Sequence, residues 1–535
     1  MKKIISLLLI IFIAAQAFPQ NESPKGADKV SLENGLRKLS IAYMAIGSMY
    51  VDSVDVNKLG EDAIVSMLAE LDPHSSYTNA KETKRLNESL QGNFDGIGVQ
   101  FNILDDTLLV IQPVPGGPSE QVGILAGDRI TAVDDTAIAG VKMSKEEMMR
   151  RLRGPKGTQV KLEIARHGLS NKLSFTVTRD KIPTFTVDAA FMLDSLTGLI
   201  RLSSFGSTSH DEIVEAINKL KAEGMQNLIL DLQQNGGGYM EAATKIANEF
   251  LQPDDLIVYT QGLKSPYKEN RAHVGGIMQS GKIIVLVDEY SASASEIVAG
   301  ALQDHDRAVI MGRRTFGKGL VQKPFVLPDG SMIRLTVARY YTPSGRCIQK
   351  PYVKGEKETY QKDVFERLQA GELTSRDSIH LNDSLKFTTL RLGRTVYGGG
   401  GIMPDIFVPL DTTRYTRLAR QLTANGCVIS ASLKYIDARR DSIRSEYPEF
   451  AQFKNNFSVP QDLIDLVLQE GEKNNVTPAD EQELSDTMPW LRLQTKALLA
   501  RDLWDMSAYF AILYQENPLV VQALSLIASD DYPIH

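Results

Sequence analysis

Between residues 181 and 345 short apolar runs alternate with helical patterns, and two runs, Leu228-Ile-Leu-Asp-Leu232 and Ile283-Ile-Val-Leu-Val287, are almost wholly apolar. A strand with one wet face alternates in polarity, so runs of this kind belong to a parallel sheet covered on both faces. The rest of the segment fits. A strand at 199–204 leads into a helix capped by Ser209 and Glu212, with Ile213, Ile217 and Leu220 on one face and Gly224 ending it. Helices near 239–251 and 295–304 alternate with strands at 257–260, 283–287 and 309–311. A hairpin then turns at Pro328-Asp329-Gly330, between 321–327 and 332–341.

At 535 residues the chain is too long for one such core and should hold about three or four domains. Residues 1–17 combine Lys2 and Lys3, a 12-residue apolar run and an Ala-Gln-Ala site, the pattern of a cleavable secretory signal. The run falls short of the ~20 residues of a membrane-spanning helix; an uncleaved anchor is the alternative reading. An exported, periplasmic protein is expected. Residues 18–89 form an N-terminal helical region after a short tether, with Leu36, Leu39, Tyr43 and Ile46 at helical spacing. Residues 90–180 carry short strand-like runs separated by glycines and one helix, Lys145 to Leu152, which suggests a small β-barrel module. The α/β core spans 181–412, with a charged surface excursion at 350–390, and 413–535 reads as helical. There Leu499, Leu503, Met506, Phe510 and Leu513 form an apolar stripe suited to packing against the body.

Composition narrows the chemistry. A formal charge of −7 offers no basic surplus for displacing phosphate counterions, so nucleic acid is not expected as a partner. Two cysteines, Cys347 and Cys427, cannot build a disulfide framework or a thiolate zinc site, although they could pair. Seven scattered histidines include no H-x-x-x-H pair. No metal or cofactor is expected, which leaves oxygen nucleophiles, carboxylates and lysine.

The densest signal follows the 283–287 run, where Asp288-Glu-Tyr-Ser291-Ala-Ser293-Ala-Ser295-Glu296 joins a buried strand to a helix. A serine at that helix start meets unpaired N–H groups and the positive end of the dipole. Three serines competing to be the N-cap is the plainer account, and the stretch by itself leaves both open. A base is needed, and His305 lies at the far end of the same helix. Lys318, in Thr315-Phe-Gly-Lys-Gly-Leu320, is the better candidate: flanking glycines let the backbone bend and bring the ammonium near apolar Phe316 and Leu320. A lysine works as a base once desolvation or a nearby cation lowers its pKa. A P-loop would need Ser or Thr after the lysine, and Gly319 stands there.

From about residue 60 to 412 the chain resembles the carboxyl-terminal processing peptidases, also called tail-specific proteases. The resemblance rests on ordered motifs: Leu71-Asp-Pro-His-Ser-Ser-Tyr77, Gly96-Ile-Gly-Val99, Ala126-Gly-Asp128, Leu228-Ile-Leu-Asp-Leu232, Ser291-Ala-Ser-Ala-Ser-Glu296, Phe316-Gly-Lys-Gly319 with Gln322, Tyr340-Tyr-Thr-Pro-Ser-Gly-Arg346 and Gly401-Ile-Met-Pro-Asp405. It implies a multidomain α/β protein with a β-α-β crotonase/ClpP-like protease core, an inserted PDZ β-barrel, and helical N- and C-terminal parts.

The resemblance assigns Ser293 as nucleophile, Lys318 as general base and Gln322 as the residue orienting that lysine. Spacing alone would not choose Gln322, because positions i and i+4 of a straight strand lie ~13 Å apart; the chain must turn, and Gly319 permits it. The oxyanion hole would combine the amides of Ala294 and Gly237. Here the usual Arg-Asn-Asn-Pro-Gly-Gly loop reads Gln233-Gln-Asn-Gly-Gly-Gly238, which removes one expected ionic contact. Gly96, Ile97, Gly98 and Val99 would hold a terminal carboxylate while the peptide adds a strand beside helix 145–152. Arg153 matches a regulatory position coupling peptide binding to the core. The implied function is an exported serine endopeptidase acting on protein or peptide substrates with exposed C-terminal tails. A homo-oligomer and an adaptor protein stay open as partners. The alternative is a catalytically silent PDZ peptide-binding scaffold.

Overall fold

The computed structural model describes residues 26–273, 275–412 and 415–534. The expected signal segment, 1–17, lies outside them, as does most of the tether. No helix of the described residues is long and apolar enough to cross a membrane.

The core sheet runs in the order Val187–Met192, Thr197–Leu202, Asn227–Asp231, Ile283–Val287, Val309–Gly312, Ile406–Phe407. Its first pair is antiparallel and the remaining four pairings are parallel. Alternate residues of the apolar runs serve opposite layers. Leu228, Leu230, Ile283, Val285 and Val287 pack under helices Ser209–Ala222, Met240–Asn248 and Ala294–Asp304. Ile229, Ile284 and Leu286 meet Leu519, Val520, Ala523 and Ile527 of the C-terminal helix Pro518–Ala528. Both faces are therefore dry, as continuous apolar strands require.

Helix Ser209–Ala222 begins at its expected cap, one residue earlier than expected. Thr208 is the N-cap, because the Ser209 hydroxyl already accepts from the Gly206 amide at 2.7 Å. A second sheet contains the hairpin Leu320–Val326 and Met332–Tyr341, with Ser76–Thr78 and Leu256–Gly262 also paired to its long strand. Within the expected excursion, helix Lys357–Gln369 buries Tyr360 and Arg367 against the body.

The 90–180 module has its own antiparallel sheet and its own core of Ile97, Leu108, Val110, Ile130, Met148, Leu162 and Val177. Strand Val99–Leu104 lies at the edge of that sheet, paired among the described residues only with Thr107–Pro113. Helix Lys145–Leu152 is capped by Ser144, whose Oγ accepts from the Glu147 amide. The module leaves and rejoins the body through a two-stranded ribbon, Asn93–Gly96 against Asp180–Pro183. At its base the Thr184 amide donates to the Gly92 carbonyl at 2.9 Å.

The C-terminal helices form a separate core that includes Cys427, which is not bonded to Cys347. Leu499 and Leu503 end helix Glu481–Leu503, and Phe510 and Leu513 belong to helix Met506–Leu513, so the expected stripe is split. The break falls at Trp504 and Asp505, where Asp505 caps the second helix through the Ala508 amide. Besides the packing of helix Pro518–Ala528 on the core sheet, apolar and polar contacts tie this domain to its neighbours. Leu433 is buried with Leu104, Leu109 and Ile111 of the barrel module, beside an Arg129–Asp437 ion pair at 2.5 Å. On the core side, Arg201 meets Asp231 at 2.6 Å, and the Tyr514 hydroxyl donates to the same carboxylate. Asp231 is fully buried, so losing one donor leaves a charge less well solvated. Tyr514→Phe should cost about 1–3 kcal/mol of stability, read as a lower midpoint in chemical denaturation; an unchanged midpoint would show that this tie does not hold the domain.

Candidate active site

Strand Ile283–Val287 ends in a turn organised by Asp288, whose Oδ1 accepts from the amides of Tyr290, Ser291 and Gln234 at 3.0–3.1 Å. The three serines then separate by environment. Ser291 Oγ donates to the Leu232 carbonyl at 2.7 Å and Ser295 Oγ to the Asn235 carbonyl at 2.8 Å. Both are fully buried and tie the helix start to the 232–235 loop. Ser293 is only half-buried and has φ +55° and ψ −109°, a backbone conformation that L-residues rarely adopt. A sharp strand-to-helix turn at positive φ lifts the side chain out of the helix and presents it at the helix N-terminus.

Glu296, the third residue of helix Ala294–Asp304, is fully buried. Its carboxylate accepts from the Ser293 amide at 2.8 Å, Thr315 Oγ1 at 2.6 Å, the Gly317 amide at 2.7 Å and the Lys318 amide at 2.9 Å. Burial raises its pKa against these four donors. One side chain thus sets the backbone of Ser293 beside that of Lys318. Tyr340 spans the same gap, its hydroxyl lying 3.1 Å from the Ser293 carbonyl and 2.8 Å from that of Lys318.

Lys318 Nζ donates to Gln322 Oε1 at 3.2 Å. The span is not a straight-strand one, because Lys318 precedes strand Leu320–Val326 and Gly319 lies between. Gln322 Nε2 in turn donates to the His74 carbonyl at 2.5 Å. Burial lowers the Lys318 pKa, and the charge of Arg334 adds to this, while Glu296 and Asp72 pull the other way. The His74 imidazole meets Tyr360 OH at 2.8 Å; burial and then the Lys318 charge push its pKa down to about 3. It is neutral at any working pH. Among the described residues no hydrogen bond joins Ser293 Oγ to Lys318 Nζ.

Gly237 lies against the serine turn with φ +98°; an added Cβ would come within 2.8 Å of the Ala292 carbonyl and 2.9 Å of the Ala294 amide. Its own N–H donates to Asn235 Oδ1 at 2.9 Å. At the start of this loop Arg201, on a neighbouring strand, bonds both Asp231 and, at 3.3 Å, the Gln233 carbonyl.

Gly96 to Val99 connect the ribbon to edge strand Val99–Leu104. Gly98 has φ +73° and accepts from the Val114 amide, and the Ile97 carbonyl accepts from Ser119 N and Oγ. Arg153, at the end of helix Lys145–Leu152, pairs with Glu88 at 2.8 Å and stacks on Phe94. It links the module to helix Ala80–Gln91 of the N-terminal region. Glu296 and His74 lie within the Ser291–Glu296 and Leu71–Tyr77 motifs, yet neither is marked there as a site residue. The Ser-x-x-Glu spacing of Ser293 and Glu296 was a capping-box signal for the first.

The sequence pattern of peptidase family S41 covers residues 196–358 and that of the PDZ domain residues 96–178. An N-terminal pattern, described as the activating protease CtpB N-terminal domain, covers 11–83, and a family of unknown function covers 418–505. The chain is 35% identical over 353 residues to a carboxy-terminal-processing protease of Bartonella bacilliformis, covering 65% of this chain and 80% of that one. It is 35% identical over 374 residues to the carboxy-terminal processing protease CtpA of Bacillus subtilis, covering 67% and 78%. A carboxyl-terminal-processing protease of Synechocystis is 39% identical over 298 residues, covering 54% and 68%. The chain belongs to the carboxy-terminal processing proteases, serine peptidases of family S41 that carry a PDZ domain.

Proposed function

We propose that the protein is an exported, periplasmic endopeptidase that captures C-terminal tails on its PDZ domain and cleaves them with a serine–lysine pair. The observation that carries this reading is the state of Lys318: a half-buried amine of lowered pKa, held by Gln322, with its backbone locked beside Ser293 by Glu296. Neutral lysine has a lone pair, and its desolvation is what makes an amine a usable base near neutral pH.

Ser293 Oγ attacks the scissile carbonyl while Lys318 Nζ takes its proton. The oxyanion faces the Ala294 amide at the helix N-terminus and the Gly237 amide, which exchanges its bond to Asn235 Oδ1 for the substrate oxygen. Lys318 returns the proton to the leaving amine, and water, deprotonated by the same lysine, releases the acyl group. The free edge of strand Val99–Leu104 and the Gly96–Val99 segment suit an added peptide strand ending in a carboxylate. The silent-scaffold reading draws on one observation, the engaged Gly237 amide.

An unfolded reporter with an apolar C-terminal tail should be degraded by the purified protein and left intact by Ser293→Ala; degradation by that variant would sink the nucleophile assignment. Lys318→Arg keeps the positive charge but cannot deprotonate, so it should be inactive while still binding tail peptide. With the folded pKa of Lys318 depressed, kcat/KM should rise with pH through a midpoint below ~10.4, the usual lysine value. Glu296→Gln removes the charge shared by four donors and should lower kcat more than tenfold, with about 2 kcal/mol lost in unfolding experiments.

A further inference from the structure

Leu71-Asp-Pro-His-Ser-Ser-Tyr77 belongs to the N-terminal region, yet it ends against the base. Asp72 is 5% exposed and forms a closed set of hydrogen bonds. Its Oδ1 accepts from the His74 amide at 2.9 Å, the Ser75 amide at 2.9 Å and Thr336 Oγ1 at 3.0 Å, and its Oδ2 accepts from Ser75 Oγ at 2.6 Å. Ser75 Oγ also accepts from the Thr336 amide at 3.1 Å. Thr336 is the cross-strand partner of Gln322. The turn made by Asp72 is therefore clasped to the strand beside Gln322, and its His74 carbonyl takes the Gln322 amide.

A primary amide has two ends, and which one faces the lysine depends on what holds the other. With Nε2 committed to a carbonyl, Oε1 is the end presented to Lys318 Nζ. We propose that Asp72 is a positioning residue of the active site: its carboxylate shapes the 72–75 turn, the turn fixes the His74 carbonyl, and that carbonyl aims Gln322 at Lys318. The proposal rests on Lys318 being the base.

Asp72 also acts through its charge. Burial would raise its pKa, but the bonds from Ser75, His74 and Thr336 hold it below the usual carboxylate range, so it is ionised wherever the enzyme works. Facing Lys318 are this carboxylate, that of Glu296, the Arg334 guanidinium and the neutral His74 imidazole. Removing the Asp72 charge takes away one group that favours the protonated lysine, so the lysine pKa falls further.

Two variants separate position from charge, read by steady-state cleavage of a tail-bearing peptide across pH. Asp72→Asn should lower plateau kcat about tenfold, a fraction of the effect of general base catalysis, leave KM unchanged and move the acid limb to lower pH. Thr336→Val loosens the clasp and keeps the charge; it should lower kcat several-fold with the limb in place. An Asp72→Asn enzyme with wild-type kcat, or with reduced kcat and an unmoved limb, overturns the proposal. If Asp72→Asn fails to fold by circular dichroism, Thr336→Val decides alone: unchanged kcat overturns the proposal, and reduced kcat at constant KM supports it. Lys318→Ala run alongside distinguishes the two readings. An inactive Lys318→Ala with a wild-type-like Asp72→Asn removes this inference alone, whereas an active Lys318→Ala removes the base itself.

Discussion

The site depends on one buried carboxylate. Glu296 has no contact with water, and its two oxygens accept four hydrogen bonds from groups on two separate segments. Burying a charge without partners is expensive, and burying it among four donors makes those donors hard to move. Any shift of the 315–318 loop relative to the helix start would leave an acceptor unpaired in the interior. The relative placement of Ser293 and Lys318 is thus over-determined at the backbone. The strained dihedrals of Ser293 persist for the same reason: Glu296 holds its amide and Tyr340 its carbonyl.

Much of the core was legible in the sequence because its signals are local. Unbroken apolar runs implied a sheet covered on both faces, and the strand, turn and helix around Ser293 could be read from small residues and spacing. Lys318 stood out by its glycines and apolar neighbours. Less was legible where a role depends on residues far apart in the chain. Gln322 and His74 are separated by 248 positions, and no pattern within either segment indicates that one holds the other. The helix at 357–369 has a charged surface, so it reads as an excursion, yet its Tyr360 and Arg367 are buried against the 314–316 loop and the His74 turn. The C-terminal apolar stripe reads as one helix because periodicity continues across Trp504, where Asp505 starts a new helix with its own cap.

The C-terminal domain closes the architecture in a way the catalytic motifs do not suggest. Helix Pro518–Ala528 covers the second face of the core sheet, and Leu433 fills an apolar site on the outside of the PDZ domain. The same domain therefore contributes to the core of one neighbour and to the surface of another. Tyr514 and Arg201 share Asp231 at the end of a central strand, two residues before Gln233 opens the 233–238 loop.

The ribbon that carries the PDZ domain has a further consequence. Its strands pair residue for residue from Asn93 with Pro183 to Gly96 with Asp180, and Gly92 and Thr184 are already bonded at its base. The chain thus exits and returns at one point, and the domain's other ties are side-chain contacts: Leu433 and Asp437 on one side and Glu88 on the other. A lineage could lengthen, exchange or delete it between those two residues without changing the register of any strand in the protease sheet. Changes inside the ribbon alter one domain while the strand pairing of the other stays as it is.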